Sequence, residues 1–139
     1  MAKPYHRHDR EIWHRIFRDA PVDWLTAPPS HAMELCLEHL RRREPRHVLD
    51  LACGFGRWGM YLRRQGVGPV TGIDSSFPGI RLGRDWVRSE GVEGLRFTTG
   101  DALHLPFAEG AFDAVVVALL LDNLDREDAR RAVAELTRT

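Results

Sequence analysis

The stretch from Arg46 to Gly59 constrains this chain more than any other. A short apolar run, Val48-Leu49-Asp50-Leu51, leads into a turn carrying Gly54 and Gly56. A helical pattern then opens, with Trp58, Met60, Tyr61 and Leu62 as its apolar positions. Strand, tight glycine turn and helix in that order make a corner at which a ligand can approach the main chain closely, because glycine has no side chain to obstruct it. The free N–H groups at the start of the following helix favour polar or anionic groups.

The rest of the chain repeats the alternation. Val70-Thr71-Gly72-Ile73-Asp74 reads as a second strand ending in an acid, and residues 79 to 90 as a helix with Ile80, Leu82, Trp86 and Val87 apolar. Leu95 to Thr99 is a third strand, leading into Gly100-Asp101-Ala102. The near-continuous apolar run from Ala111 to Leu121 suits a fourth strand covered on both faces. Asp125 is placed to cap a last helix from Arg126, with Ala129, Val133 and Leu136 facing inward. Ahead of the corner, Ile12, Trp13, Ile16 and Phe17 fall at helical spacing until Pro21 stops the helix. Ser30 is a helix N-cap for a second helix over His31 to Arg43, with Met33, Leu35, Leu37 and Leu40 apolar and Arg41-Arg42-Arg43 complementing the helix dipole. The aromatic set Tyr5, Trp13, Phe17 and Trp24 reads either as core or as a lid over a ligand.

Composition narrows the class. With 139 residues, 43% hydrophobic and 29% charged, the chain can bury one core. Zero formal net charge gives no broad surface for nucleic acid, and no stretch approaches the length of a membrane span. The N-terminus has no apolar signal-peptide core, so a cytoplasmic location is expected. Cys36 and Cys53 form no disulfide framework, and Cys53 reads as a small buried thiol. His6, His8 and His14 lack the acids or cysteines of a metal site, so no metal is expected.

Two readings compete at the corner. Gly54, Gly56 and Gly59 fit G-x-G-x-x-G, with Asp74 at the distance of a ribose contact, which is the pattern of an NAD-binding oxidoreductase. Asp50, however, would sit beside a pyrophosphate and repel it, and suits a ligand carrying a cation. The run Asp50-Leu51-Ala52-Cys53-Gly54-Phe55-Gly56 resembles the first motif of the class I S-adenosylmethionine (SAM) methyltransferases, with Ala52 where the family often has a glycine. Together with Asp74 and the Gly100-Asp101-Ala102 stretch, it is similar to the N-terminal half of the small-molecule type over about residues 46 to 136.

The resemblance implies an α/β, Rossmann-like, mostly parallel sheet of order 3-2-1-4, with residues 1–44 as a helical cap and residues 45–139 as a partial cofactor-binding domain. It implies that Asp50 holds the amino group of SAM, that Ala52, Cys53, Gly54 and Gly56 form the turn around its methionine part, and that Asp74, followed by Ser75, takes the ribose. Asp101 and Ala102 would read adenine, and Ala118 or Leu119 would contact the amino-acid part. The implied reaction is methyl transfer to a small-molecule acceptor; the rival is a non-catalytic SAM-binding or interaction module. Asp122-Asn123 stands where many relatives carry paired histidines; Asp122, Asn123 and His104 are weak candidates for a base. The family sheet has seven strands, so a chain with four is expected to be truncated, to pair with a second chain, or to fold another segment over the open fourth strand; self-association through that edge is the expectation.

Overall fold

The computed structural model describes the backbone of residues 5–21 and 23–139, with side chains from Arg10 onward. The side chains of Tyr5, His6 and His8 therefore lie outside the described residues. Three helices come first: α1 (Tyr5–Arg18), α2 (Asp23–Thr26) and α3 (His31–Arg43). The alternating part follows: β1 (Val48–Leu51), α4 (Arg57–Arg64), β2 (Val70–Asp74), α5 (Phe77–Glu90), β3 (Leu95–Thr99), β4 (Ala114–Val117) and α6 (Arg126–Arg138).

The sheet order is β3-β2-β1-β4, and every pairing is parallel. This is the Rossmann-like order that the resemblance implies, and the parallel pairing follows from the alternation of strand and helix. The order reverses between β1, which continues to β2, and β4, which lies on the other flank of β1. In such sheets the crevice at the strands' C-terminal ends opens at that reversal. Among the described residues β4 has no partner on its outer side, so the strand expected to self-associate has a free edge. No helix among the described residues is long and apolar enough to cross a membrane.

Cap chemistry sets the helix starts. The Ser30 hydroxyl accepts from the Met33 N–H at 3.3 Å, and Asp125 Oδ1 accepts from the Asp128 N–H at 2.9 Å, both as expected. Ser76 caps α5, accepting from Gly79 N–H at 3.3 Å, so α5 begins two residues earlier than periodicity suggested. The main core joins Phe17, Leu37 and Leu40 of the N-terminal helices to Val48, Met60, Leu62, Val70, Trp86 and Leu95.

Several expectations need correction. Leu35 is 53% exposed, because Met33, Leu37 and Leu40 already fill the buried face of α3. On α6, Leu136 packs against the core as expected, but Val133 is 41% exposed and the inward stripe runs through Asp128, Ala132 and Leu136. The fourth strand is four residues, not eleven. Leu119 adopts a left-handed backbone (φ 57°) and Leu121–Asn123 forms a 3-10 turn, which ends the extended run. The short helix α2 was not foreseen, since four residues carry no periodicity.

Candidate functional site

Beyond the C-terminal ends of the strands lies a cavity of about 570 Å³. That is the size of a small-molecule or cofactor site, roughly 300–1,000 Å³. Its floor is the corner, Leu51 to Phe55. Its flanks are the strand ends, Ile73-Asp74-Ser75 and Gly100 to Leu103, and the segment after β4, including Ala118, Leu119, Leu120, Asn123 and Leu124. Over it lie Arg10, Trp13 and Phe17 from α1 and Trp24 from α2.

The floor is shaped by backbone that side chains resist. Ala52 has φ 57° and Gly54 φ 56°. For alanine this left-handed conformation costs about 1–2 kcal/mol. Leu119, across the cavity, pays the same kind of cost. Such strain concentrates at ligand sites, where surrounding structure holds it in place.

Asp74 holds the turn. Its Oδ2 accepts from Gly54 N–H at 2.8 Å and its Oδ1 from Ser76 N–H at 2.7 Å. Burial pushes its carboxyl above the usual range, and the two amides and His14 pull it back. His14 lies 3.3 Å from the Ser75 carbonyl oxygen through its Nε2, which ties α1 to the end of β2. Asp101 is more open: its Oδ1 accepts from Leu103 N–H at 2.9 Å, and His104 Nδ1 lies 3.8 Å from its Oδ2.

The structure brings together on this wall Ala52, Gly54, Asp74, Ser75, Asp101, Ala102 and Ala118, all of them sequence candidates. It leaves two off. Gly56 (φ 81°) sits behind the turn, where an added Cβ would lie 2.4 Å from the Phe97 ring; its freedom serves packing. Asp50 is 1% exposed and faces away from the cavity, its Oδ2 accepting from Gly59 N–H at 3.0 Å. Asp50 therefore holds the first turn of α4 rather than the cavity wall. Of the base candidates, His104 and Asp122 lie off the lining, and Asn123 donates its amide to Leu119 O at 2.7 Å. Arg10 and Arg57 also line the cavity and were not among the sequence candidates, although Arg57 closes the Cys53-Gly54-Phe55-Gly56-Arg57 corner.

The aromatic set answers both of its readings. Phe17 is core, 6.1 Å from Phe55 in an edge-on contact, and also lines the cavity. Trp13 stacks on Phe17 at 5.5 Å and Trp24 on Phe55 at 6.5 Å, both lining it too.

A family model described as a methyltransferase domain matches residues 48–139. The chain belongs to the methyltransferase domain family. It is 38% identical over 108 residues to a demethylmenaquinone methyltransferase of Thermus thermophilus, covering 77% of this chain and 46% of that protein. It is 32% identical over 119 residues to the methyltransferase GfsG of Streptomyces halstedii, covering 84% and 43%. A solved structure described as the conversion of a disulfide bond into a thioacetal group during echinomycin biosynthesis superposes with TM-score 0.79 at 29% identity, over 94% of this chain and 55% of that one. The chain thus spans less than half the length of these two curated relatives. S-adenosylmethionine is the cofactor of the family, and the cavity suits it chemically: carboxylates at two strand ends to accept from hydroxyl and amine, and a close backbone turn between them. Family membership also removes the dinucleotide reading of Gly54, Gly56 and Gly59; Gly59 serves packing, since a Cβ there would lie 2.8 Å from Leu95.

Asp50 has a consequence for stability. Burial raises its carboxyl to about 7, opposed by the Gly59 amide and reinforced by the Asp74 charge. In the unfolded chain an aspartate releases its proton near pH ~3.9. The folded state therefore holds a proton that the unfolded state has lost between those values. Stability falls as pH rises through that window and levels off above it. The isosteric Asp50→Asn, permanently neutral, removes this loss. Its melting temperature is expected to gain on the wild type between about pH 4 and pH 7 and to hold that gain above. Parallel curves for the two proteins would show that Asp50 is ionised throughout.

Proposed function

We propose that this chain is the cofactor-binding part of a SAM-dependent methyltransferase that acts on a small molecule. The observation that carries this reading is the meeting of Asp74 and Asp101, from successive strand ends, with the left-handed Ala52–Gly54 turn in one cavity. When bound, SAM supplies a methyl group already activated by its positive sulfur. Asp74, oriented by two backbone amides, would accept from the ribose hydroxyls. Asp101 and Ala102 would face the adenine edge. The backbone of Ala52, Cys53 and Gly54, with Ser75 and Ala118 nearby, would flank the remainder.

The chain's own contribution to chemistry is alignment. Holding donor and acceptor in line accounts for much of the rate gain in such a transfer. Trp13, Phe17 and Trp24 line the cavity from the helices above, and Leu119, Leu120 and Leu124 offer apolar contact to an acceptor. The relatives named for demethylmenaquinone favour an acceptor with an apolar body. A second reading, a SAM-binding module without catalysis, is favoured by one feature: His104 and Asp122 lie off the wall, and Asn123 cannot take up a proton.

Calorimetric titration of the chain with SAM and with NADH tests the cofactor. Binding of SAM in the micromolar range with no NADH binding is expected; the reverse result sinks the proposal. Transfer of labelled methyl to a demethylated quinol then separates enzyme from module.

A further inference from the structure

Glu135 and Arg138 stand three residues apart near the end of α6 and pair with each other, Arg138 Nη2 to Glu135 Oε2 at 3.0 Å. Both also reach across to the loop between β3 and β4. Glu135 Oε2 accepts from Leu105 N–H at 2.7 Å. Arg138 donates through Nη2 to the Leu105 carbonyl at 3.2 Å and through Nη1 to the Phe107 carbonyl at 2.8 Å. Both backbone polar groups of Leu105 are thus bound by α6 side chains, much as a neighbouring strand would bind them. The Arg138 guanidinium and the Leu105 amide hold the Glu135 carboxyl below its usual range, so it stays an ionised acceptor at neutral pH.

This grip ends beside the cavity. Asp101, Ala102 and Leu103 line the wall, and Leu105 lies just behind it, its side chain buried against Leu49, Leu51 and Ile73. Between them the chain makes a tight turn: Leu103 N–H donates to Asp101 Oδ1 at 2.9 Å and His104 N–H to the Asp101 carbonyl at 3.1 Å. Those bonds are internal to the turn, so they fix its shape and not its place. The Asp101 side chain is 48% exposed, so packing alone holds it weakly. The turn's place is set at its two ends, by β3 on one side and by Leu105 on the other. The end of α6 is itself anchored, because the carbonyls of Arg138 and Thr139 accept from Gly110 N–H at 3.0 Å and Phe112 N–H at 2.9 Å, just ahead of β4. Ion pairs such as Arg42 with Glu38 and Arg131 with Glu127 join residues four apart on one helix; the Glu135–Arg138 pair instead binds backbone 30 or more residues back in the chain.

Resting on the cofactor reading above, we infer that Glu135 and Arg138 are positioning residues for the cofactor's base: through Leu105 they hold the Asp101–Leu103 turn where it tells a 6-amino purine from a 6-oxo one. A carboxylate accepts from an amine and repels a carbonyl oxygen. That difference becomes discrimination only where the carboxylate cannot swing away from the wrong base. A turn held in place beforehand also costs less to order when the ligand arrives. Neither residue touches the cavity; both act through the backbone of Leu105.

The test is calorimetric titration of the full chain with SAM and with S-inosylmethionine, in which an oxygen replaces the 6-amino group and the adjacent ring nitrogen carries a hydrogen. Loss of a hydrogen bond to a charged acceptor is worth roughly tenfold or more in affinity, so wild type is expected to prefer SAM by at least about tenfold. Glu135→Ala is expected to bring that preference within about threefold, because the freed turn no longer fixes the carboxylate. Arg138→Gln, which can still serve one carbonyl, is expected to narrow it less. The ratio of two ligands on one protein cancels any loss of folded material. A pair that only stabilised the fold would weaken both ligands in parallel, so an unchanged preference in Glu135→Ala overturns the positioning role. If Glu135→Ala does not fold, Arg138→Gln decides, and an unchanged preference there overturns the role equally. Wild type that binds both ligands alike overturns it while the SAM reading stands. Wild type that binds neither overturns the SAM reading and the role with it.

Discussion

Replacing Asp74 by alanine is expected to weaken SAM binding by at least about tenfold, the effect of removing a charged hydrogen-bond acceptor. Two losses combine. The first is direct: the carboxylate proposed to accept from the ribose is gone. The second acts through the floor of the cavity. Asp74 binds Gly54 N–H at 2.8 Å and Ser76 N–H at 2.7 Å, and so fixes the left-handed turn against the strand end. Without it two donors on buried residues lose their partner, at about 1–3 kcal/mol each where water cannot replace it. A fall in melting temperature is therefore expected beside the loss of affinity. Asp74→Asn separates the two effects. Its single carbonyl oxygen can serve one amide, while its NH₂ would face the other N–H. It is expected to bind with intermediate affinity. SAM affinity in Asp74→Ala equal to wild type by calorimetry would refute the ribose role.

The second large effect is on the fold beneath the site. Gly83 lies in the middle of α5, where glycine is ordinarily unfavourable by about 1 kcal/mol against alanine. Gly83→Ala should therefore stabilise the helix if nothing else intervened. A Cβ at this position would lie 2.5 Å from the Phe55 carbonyl oxygen and 3.0 Å from the Phe97 ring. The first of these is backbone of the turn that floors the cavity, held by the Asp74 contact one residue earlier. It cannot swing aside as a side-chain tip can. Overpacking against rigid structure costs about 1–3 kcal/mol and more where backbone must move, so the clash outweighs the propensity gain. A net loss of about 2 kcal/mol is expected, or roughly 6–10 °C in melting temperature for a chain of this size. SAM affinity should fall as well, since α5 can relieve the clash only by moving away from the turn. A melting temperature equal to or above wild type would show that the turn yields.

These two residues illustrate what could be read from the chain and what could not. Asp74 was legible: a β-rich apolar run closing on an acid, twenty residues past a glycine turn, says where a strand ends and what stands there. Gly83 carried no signal. A glycine inside a helical pattern does not say which surface comes close to it. The same division runs through the site. Asp50 and Asp74 look alike in sequence, each an acid near the end of an apolar strand, yet one lies under the turn and the other on the cavity wall. Side chains alternate along a strand. Leu51 faces the cavity, so its neighbour Asp50 faces the other way, toward Gly59 and α4.

Local order, then, was determined by the sequence alone: the alternation of strand and helix, the glycine corner, the caps at Ser30 and Asp125, and the parallel pairing that such alternation requires. Each follows from interactions within a few residues, or from a periodicity that one segment displays by itself. Tertiary structure decided which of those residues share a cavity. It laid α1 over the strand ends, joined Trp13, Phe17 and Trp24 to the wall, left Arg10 and Arg57 facing inward, and cut the fourth strand short at Leu119. An amphipathic stripe states that a face will be buried; what buries it depends on contacts between residues far apart in the chain, and no single segment encodes those.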